Sequence, residues 1–188
     1  MKSVLISIRP KWCELIASGK KTIEVRKTRP KLQTPFKCYI YCTNDYRNWA
    51  TKSNNYEFWI GKPLNNISKG RYFCNGKVIG EFVCDGITGA MANNGIQTYY
   101  NGQKGTCLSD AEIIKYAGGK KIYYWHISDL KIYDKPKELG NFWKADKCPY
   151  ATESGCTYKY HCFRAGQTQR CGETLTRPPQ SWCYVEEV

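Results

Sequence analysis

Hydrophobic and polar positions change period several times along these 188 residues, and each change marks an element. From Val4 to Arg9 they alternate, which predicts a strand with Val4, Ile6 and Ile8 on a core face and Ser7 and Arg9 opposite. Pro10 then suits a first helical turn, Trp12, Leu15 and Ile16 recur at helical spacing, and Gly19 stands where a left-handed C-cap is expected. The period returns to two at once. Ile23 and Val25 point one way and Thr22, Glu24 and Arg26 the other, setting a carboxylate beside a guanidinium with Lys21 at the strand's start. Further strands are predicted over Phe36 to Thr43, Lys77 to Asp85, Lys121 to Ile127, Leu130 to Tyr133 and Ser181 to Glu187. In the Lys77 strand, Val78, Phe82 and Cys84 alternate against Ile79, Glu81 and Val83, and Asp134-Lys135-Pro136-Lys137 is expected to end the Leu130 strand. One more helix is predicted from Leu108 to Gly118, with Ser109 and Glu112 as a capping box, Ile113, Ile114 and Ala117 as its apolar face, and Gly118-Gly119 as its stop. Strands outnumber helices. The expected class is α+β, a small mixed β-barrel, closed or partly open, with two or three short helices.

Composition narrows the setting. A hydrophobic fraction of 41% suits a folded chain, and neither a long apolar run nor a signal-peptide pattern stands at the N-terminus, so a soluble cytoplasmic protein with no membrane partner is expected. The cysteines number eleven, an odd count, and several fall in predicted strands, as Cys38, Cys42 and Cys84 do; reduced thiols are the simpler account.

The net charge of +13 is unevenly placed. All of the excess lies before Cys148, and the first 37 residues hold ten basic side chains against two acidic ones. Positive potential is therefore concentrated on the helix and strand around Gly19, as in a protein that binds a polyanion by releasing its counterions. A basic surface that only confers solubility is the bland alternative. The stretch Asn44 to Asn75 sets Tyr46, Trp49, Tyr56, Phe58 and Trp59 among Arg47, Lys52, Lys62, Lys69 and Arg71, a mixture suited to stacking on unpaired bases beside phosphate contacts. Rings packed as core are the other reading of the same residues. A Tyr99-Tyr100 pair stands in a later glycine-rich and asparagine-rich connection. His126, one of two histidines, shares a strand face with Ile122 and Tyr124 and reads as a hydrogen-bonded barrel residue rather than a general base.

Gly19, Lys21, Glu24 and Arg26 fit the pattern Gly-x-Lys-x-x-Glu-x-Arg, preceded by Ser-Ile-Arg-Pro at Ser7 to Pro10 and followed much later by Trp125-His126-Ile127-Ser128-Asp129-Leu130. Together these resemble the ASCH family of the PUA-like superfamily, in a phage-type or prophage-type member with a cysteine-rich insertion. The resemblance covers most of residues 1–147 and the last dozen. It implies a PUA-like barrel and an association with nucleic acid, RNA above all. Under it, Arg9, Lys21, Arg26, Lys27 and Arg29 are expected at phosphates, Glu24 at a base or ribose, and Trp49, Tyr56 and Trp59 as stacking rings. It also implies a rival activity. Some ASCH-fold proteins resemble amidohydrolases of N4-acetylcytidine that use a Lys, a Thr and a Glu, and others are linked with ribonuclease activity. Lys21 matches that lysine, whereas Glu24 stands where the threonine would be, so an enzyme here would work from Lys21 and Glu24. A phage protein whose basic surface binds a host protein is a third reading.

Beyond Trp143 the composition changes. Cys148, Cys156, Cys162 and Cys171 are spaced Cys-x7-Cys-x5-Cys-x8-Cys amid Gly, Thr and Tyr, with little apolar material to make a core. Four thiolates around a structural Zn²⁺ would hold such a segment, with His161 as a substitute ligand; disulfides, unliganded thiols or an iron-sulfur cluster are the alternatives. The expected organisation is an ASCH domain over 1–147 and 172–188, interrupted by an insertion over 148–171.

Overall fold

A computed structural model describes residues 2–44, 56–61, 71–91, 103–144, 151–152, 155–156 and 174–186. The chain opens with strand β1 (Lys2–Ile8), helix α1 (Pro10–Ala17) and strand β2 (Ile23–Arg26). Pro10 sits at the first helical position, and Gly19 takes a φ of +74° just past the helix, so the sequence-based boundaries hold. Strands β3 (Phe36–Cys42), β4 (Trp59–Ile60), β5 (Tyr72–Phe73), β6 (Lys77–Cys84) and β7 (Ile87–Met91) follow. Next come the helical turn α2 (Gln103–Thr106), helix α3 (Asp110–Ala117) and strands β8 (Lys121–His126) and β9 (Ser128–Lys137). Short strands β10 (Ala151–Thr152) and β11 (Gly155–Cys156) pair with each other, and β12 (Trp182–Glu186) is the last element. The capping box is present in α3: Ser109 accepts from the Glu112 N–H, and the Glu112 carboxylate accepts from the Ser109 N–H at 2.8 Å.

Five strands form one sheet in the order β12-β1-β3-β6-β9, and three form another in the order β2-β8-β7. Two ribbons join them. Strand β6 passes into β7 through Asp85-Gly86, and β8 passes into β9 through Ile127, so one antiparallel pair bends from the first sheet into the second. The bent ribbons wrap both sheets around a shared core of Val4, Ile6, Ile8, Ile16, Ile40 and Phe82, with Trp125 fully buried from the opposite side. The Phe36 and Trp125 rings meet edge to face with centroids 6.0 Å apart across that core. The result is an α+β, barrel-like fold in which β2 has a ladder on one side only.

Three expectations change. The first concerns β1, which is buried on both faces from Ser3 onward, because Leu5 packs against Phe142, Leu175 and Val185 in a second core. In β6 a register shift between Val78 and Gly80 sends Val78 to that second core, while Ile79 joins Phe82 and Cys84 in the first. Strand β9 continues past Asp134 to Lys137. Pro136 is tolerated there because β9 is the outermost strand of its sheet and needs no donor on its free side. The return of the chain end is as expected: β12 lies antiparallel to β1, with Leu5 opposite Cys183.

Candidate functional site

The turn at Gly19 delivers Lys21 into the interior rather than to solvent. Lys21 is 2% exposed, and its ammonium donates to the carbonyl oxygens of Ile23 at 2.8 Å and Thr106 at 2.7 Å. The Glu24 carboxylate lies 3.4 Å from the same nitrogen and 3.0 Å from Arg26 Nε. Arg26 Nη2 donates to the Ser7 carbonyl at 2.6 Å, which ties β2 to the end of β1 where no ladder joins them. The alternation along β2 thus has the expected sense, but its polar side is no solvated strand edge. Glu24 and Arg26 are buried at 7% and 9% exposure.

These side chains form the floor of a cleft of about 640 Å³. Trp12 of α1 lines the cleft, with its ring centroid 5.3 Å from Lys21 Nζ. Tyr116 of α3 lines the cleft as well, beneath the Lys27 ammonium at 5.2 Å from its ring centroid. Burial holds the Tyr116 phenol above its usual value, and the Arg26 guanidinium offsets that only in part, so at neutral pH the hydroxyl stays protonated. Arg9 stands exposed at the rim, and Gln180 and Ser181 approach from the segment that leads into β12. The Ser7 hydroxyl donates to the Pro179 carbonyl at 2.6 Å, holding that segment in place.

Donor counting separates the roles of the two buried cations. An ammonium has three donors, and those of Lys21 face two carbonyls and a carboxylate. Arg26 commits one terminal nitrogen to Ser7, while its Nε faces Glu24 off the line of a good hydrogen bond. Its remaining donors have no hydrogen-bond partner among the described residues, and the Arg26 side chain lines the cleft. Arg26 can bind an incoming anion directly. Lys21 holds the floor together.

The cleft therefore collects Arg9, Lys21, Glu24, Arg26 and Lys27 from the sequence-based set, and adds Trp12, Tyr116, Gln180 and Ser181. Arg29 lies in an adjacent hollow. Neither Tyr56 nor Trp59 lines the cleft: the Tyr56 hydroxyl donates to the Glu14 carboxylate, and Trp59 packs on Phe73 with Arg71 against its ring. Phe58 is core at 5% exposure. Trp49, Cys148, Cys162, Cys171 and His161 lie outside the described residues, as do Tyr99 and Tyr100, and of Cys156 only the backbone is described. Among the described residues no cluster of three or more His, Cys, Asp or Glu side chains is arranged to hold a metal. His126 is hydrogen-bonded as expected, with Nδ1 2.6 Å from Asp85 Oδ1, at the bend where β8 passes into β9. Burial would raise the Asp85 carboxyl, but the His126 hydrogen bond and charge outweigh it and hold the group below the usual range.

The ASCH domain family model matches residues 6–83, which run from the end of β1 through α1, β2 and the floor of the cleft into β6. Over those residues the chain resembles an ASCH domain. The crystal structure of a serine-to-alanine variant of the ASCH protein from Zymomonas mobilis matches with a TM-score of 0.54 at 18% identity, covering 98% of this chain and 89% of that one. It shares the ASCH domain's fold. The unsubstituted ASCH protein from Zymomonas mobilis matches with a TM-score of 0.49 at 22% identity, over 73% of each chain. No curated protein matches this sequence. Among the described residues no helix is long and apolar enough to cross a membrane.

Proposed function

We propose that this ASCH-like domain binds nucleic acid through the cleft, with RNA as its partner and an unpaired or modified nucleotide as the unit that enters. The observation that carries the reading is the buried Glu24 carboxylate flanked by Lys21 and Arg26 on the floor of a cleft rimmed by further cations. Glu24 is an acceptor suited to an amino group on a base edge. Phosphates are met by Arg9, Lys27, Arg29 and the free donors of Arg26, while Trp12 and Tyr116 offer ring surfaces for stacking. Tyr56 and Trp59 stack only on a strand that extends beyond the cleft, and Trp49 lies outside the described residues. The family's association with nucleic acid and the crowding of positive charge into the first 37 residues support the same partner. RNA and single-stranded DNA binding, titrated against salt for wild type and an Arg9→Gln, Arg26→Gln double variant, tests it. Affinity that ignores ionic strength would defeat the proposal.

A hydrolase working on a modified nucleoside amide or on RNA is the second reading, favoured by a buried Lys21 and Glu24 pair that borders an open cleft. Incubating the protein with N4-acetylcytidine and with RNA separates the two. Turnover lost in Lys21→Ala while RNA affinity stays near wild type would make the enzyme the better account.

A further inference from the structure

The loop that leaves β2 carries a cation at every second position, Lys27, Arg29 and Lys31, and all three side chains are exposed. Over its first five residues the four polar ones, Lys27, Thr28, Arg29 and Lys31, each meet one ring. Lys27 lies over Tyr116, and the Trp182 indole N–H donates to the Thr28 hydroxyl at 3.0 Å. The Arg29 guanidinium stands over Tyr123 at 6.0 Å from its centroid, and the Lys31 backbone N–H donates to the Tyr184 hydroxyl at 2.8 Å. Between them Pro30 is buried. The rings come from α3, β8 and β12, so three separate elements fix one loop against the barrel. Contact with an aromatic face leaves the N–H donors of a cation free to point outward.

The loop also joins two concavities. Lys27 and Thr28 line the cleft already described. Arg29 and Lys31 line a second hollow of about 590 Å³, with Leu32, Gln33 and Ile87 in its wall. We infer that this loop is a backbone track for a single-stranded RNA, which places one nucleotide in the cleft and the next in the Arg29 and Lys31 hollow. The inference rests on the proposed nucleic-acid reading and deepens it: the ligand is a strand, not a free nucleoside. Three cations two residues apart match successive phosphates of an extended strand, because two residues of irregular chain span at most about 7 Å. Leu32 and Ile87 supply apolar surface for the second base. A free nucleoside would leave Arg29 and Lys31 with nothing to bind.

The test compares cytidine 5′-monophosphate with cytidylate dinucleotide, tetranucleotide and octanucleotide, for wild type and for an Arg29→Gln, Lys31→Gln double variant. Wild-type affinity is expected to climb from the mononucleotide to the tetranucleotide and then level off. In the variant the climb disappears, and the salt slope for the octanucleotide becomes shallower by roughly 1.4, about 0.7 for each cation removed. Exchanging the cations instead, Arg29→Lys with Lys31→Arg, is expected to restore the slope. Equal wild-type affinity for mononucleotide and octanucleotide, or an unchanged slope in the variant, would overturn the track while leaving the cleft reading intact. No binding of any of these ligands by wild type would overturn both.

Discussion

The ammonium of Lys21 lies 2.7 Å from the carbonyl oxygen of Thr106, a residue 85 positions later in the chain. With Glu24 this contact staples α2 to β2 through a buried charge, and removing the cation strands a carboxylate and two carbonyls. Lys21→Met is expected to lower stability by about 3 kcal/mol in denaturant unfolding, the usual cost of breaking a buried pair on one side. Arg9→Gln, at the exposed rim, is expected to change stability by less than about 0.5 kcal/mol while weakening RNA. Equal stability of the two variants would show that Lys21 is no anchor.

Tyr116 enters the cleft as a ring whose hydroxyl stays neutral. Tyr116→Phe is therefore expected to keep most RNA affinity, whereas Tyr116→Ala loses about 1–3 kcal/mol, the range for one base stacked on an aromatic side chain. Titration at one fixed salt concentration reads both. Equal losses in the two variants would assign the contribution to the hydroxyl instead.

Cys13, Cys38, Cys42, Cys74 and Cys84 are buried and form no disulfide among the described residues. Burial pushes Cys74 and Cys84 up to about 12 from an ordinary 9.0. An unfolded chain releases these protons near 9, while the folded chain keeps them to about 12, so through that window the folded state binds more protons. Their stabilising contribution is complete below pH 9 and is lost as pH rises toward 12. The urea midpoint is expected to fall with pH across that window, and a flat profile would contradict it. Under native conditions a thiol reagent should reach the half-exposed Cys107 and Cys183 before the buried five.

The spacing of Cys148, Cys156, Cys162 and Cys171 leads us to propose one structural zinc in the 148–171 segment, set as an insertion within a domain over 1–147 and 172–188. Elemental analysis of protein purified under reducing conditions is expected to find zinc in equal amount with protein. Removing it with a chelator should expose the segment to proteolysis while β1 to β9 stay folded. A preparation without bound metal would end the proposal.

Local elements were legible wherever one face and one terminus carried the signal. Gly19 and the Ser109 capping box mark helix ends through their own backbone needs, and a strand beginning at Ile23 follows from a change of period. Burial on a second face was not legible. Ser7 and Arg9 read as the outer side of β1, yet Ser7 is buried, and on that strand Leu5 is covered by Phe142, Leu175 and Val185 from the far end of the chain. The register shift in β6 likewise follows from pairing with β9, and it moves Val78 from one core to the other.

The candidate site divides in the same way. Lys21, Glu24 and Arg26 are brought together by the two-residue period of one short strand, so the sequence by itself determined which charges share a face. It also determined the basic rim, since Arg9 and Lys27 flank the same helix and strand. Whether those charges lie in water or in a closed network was decided only by tertiary structure. Ser7, Thr106 and the segment around Gln180 come from distant parts of the chain to supply acceptors and walls. A periodic pattern specifies direction relative to the local backbone, but desolvation depends on which other backbone arrives to exclude water, and that is a property of the assembled fold.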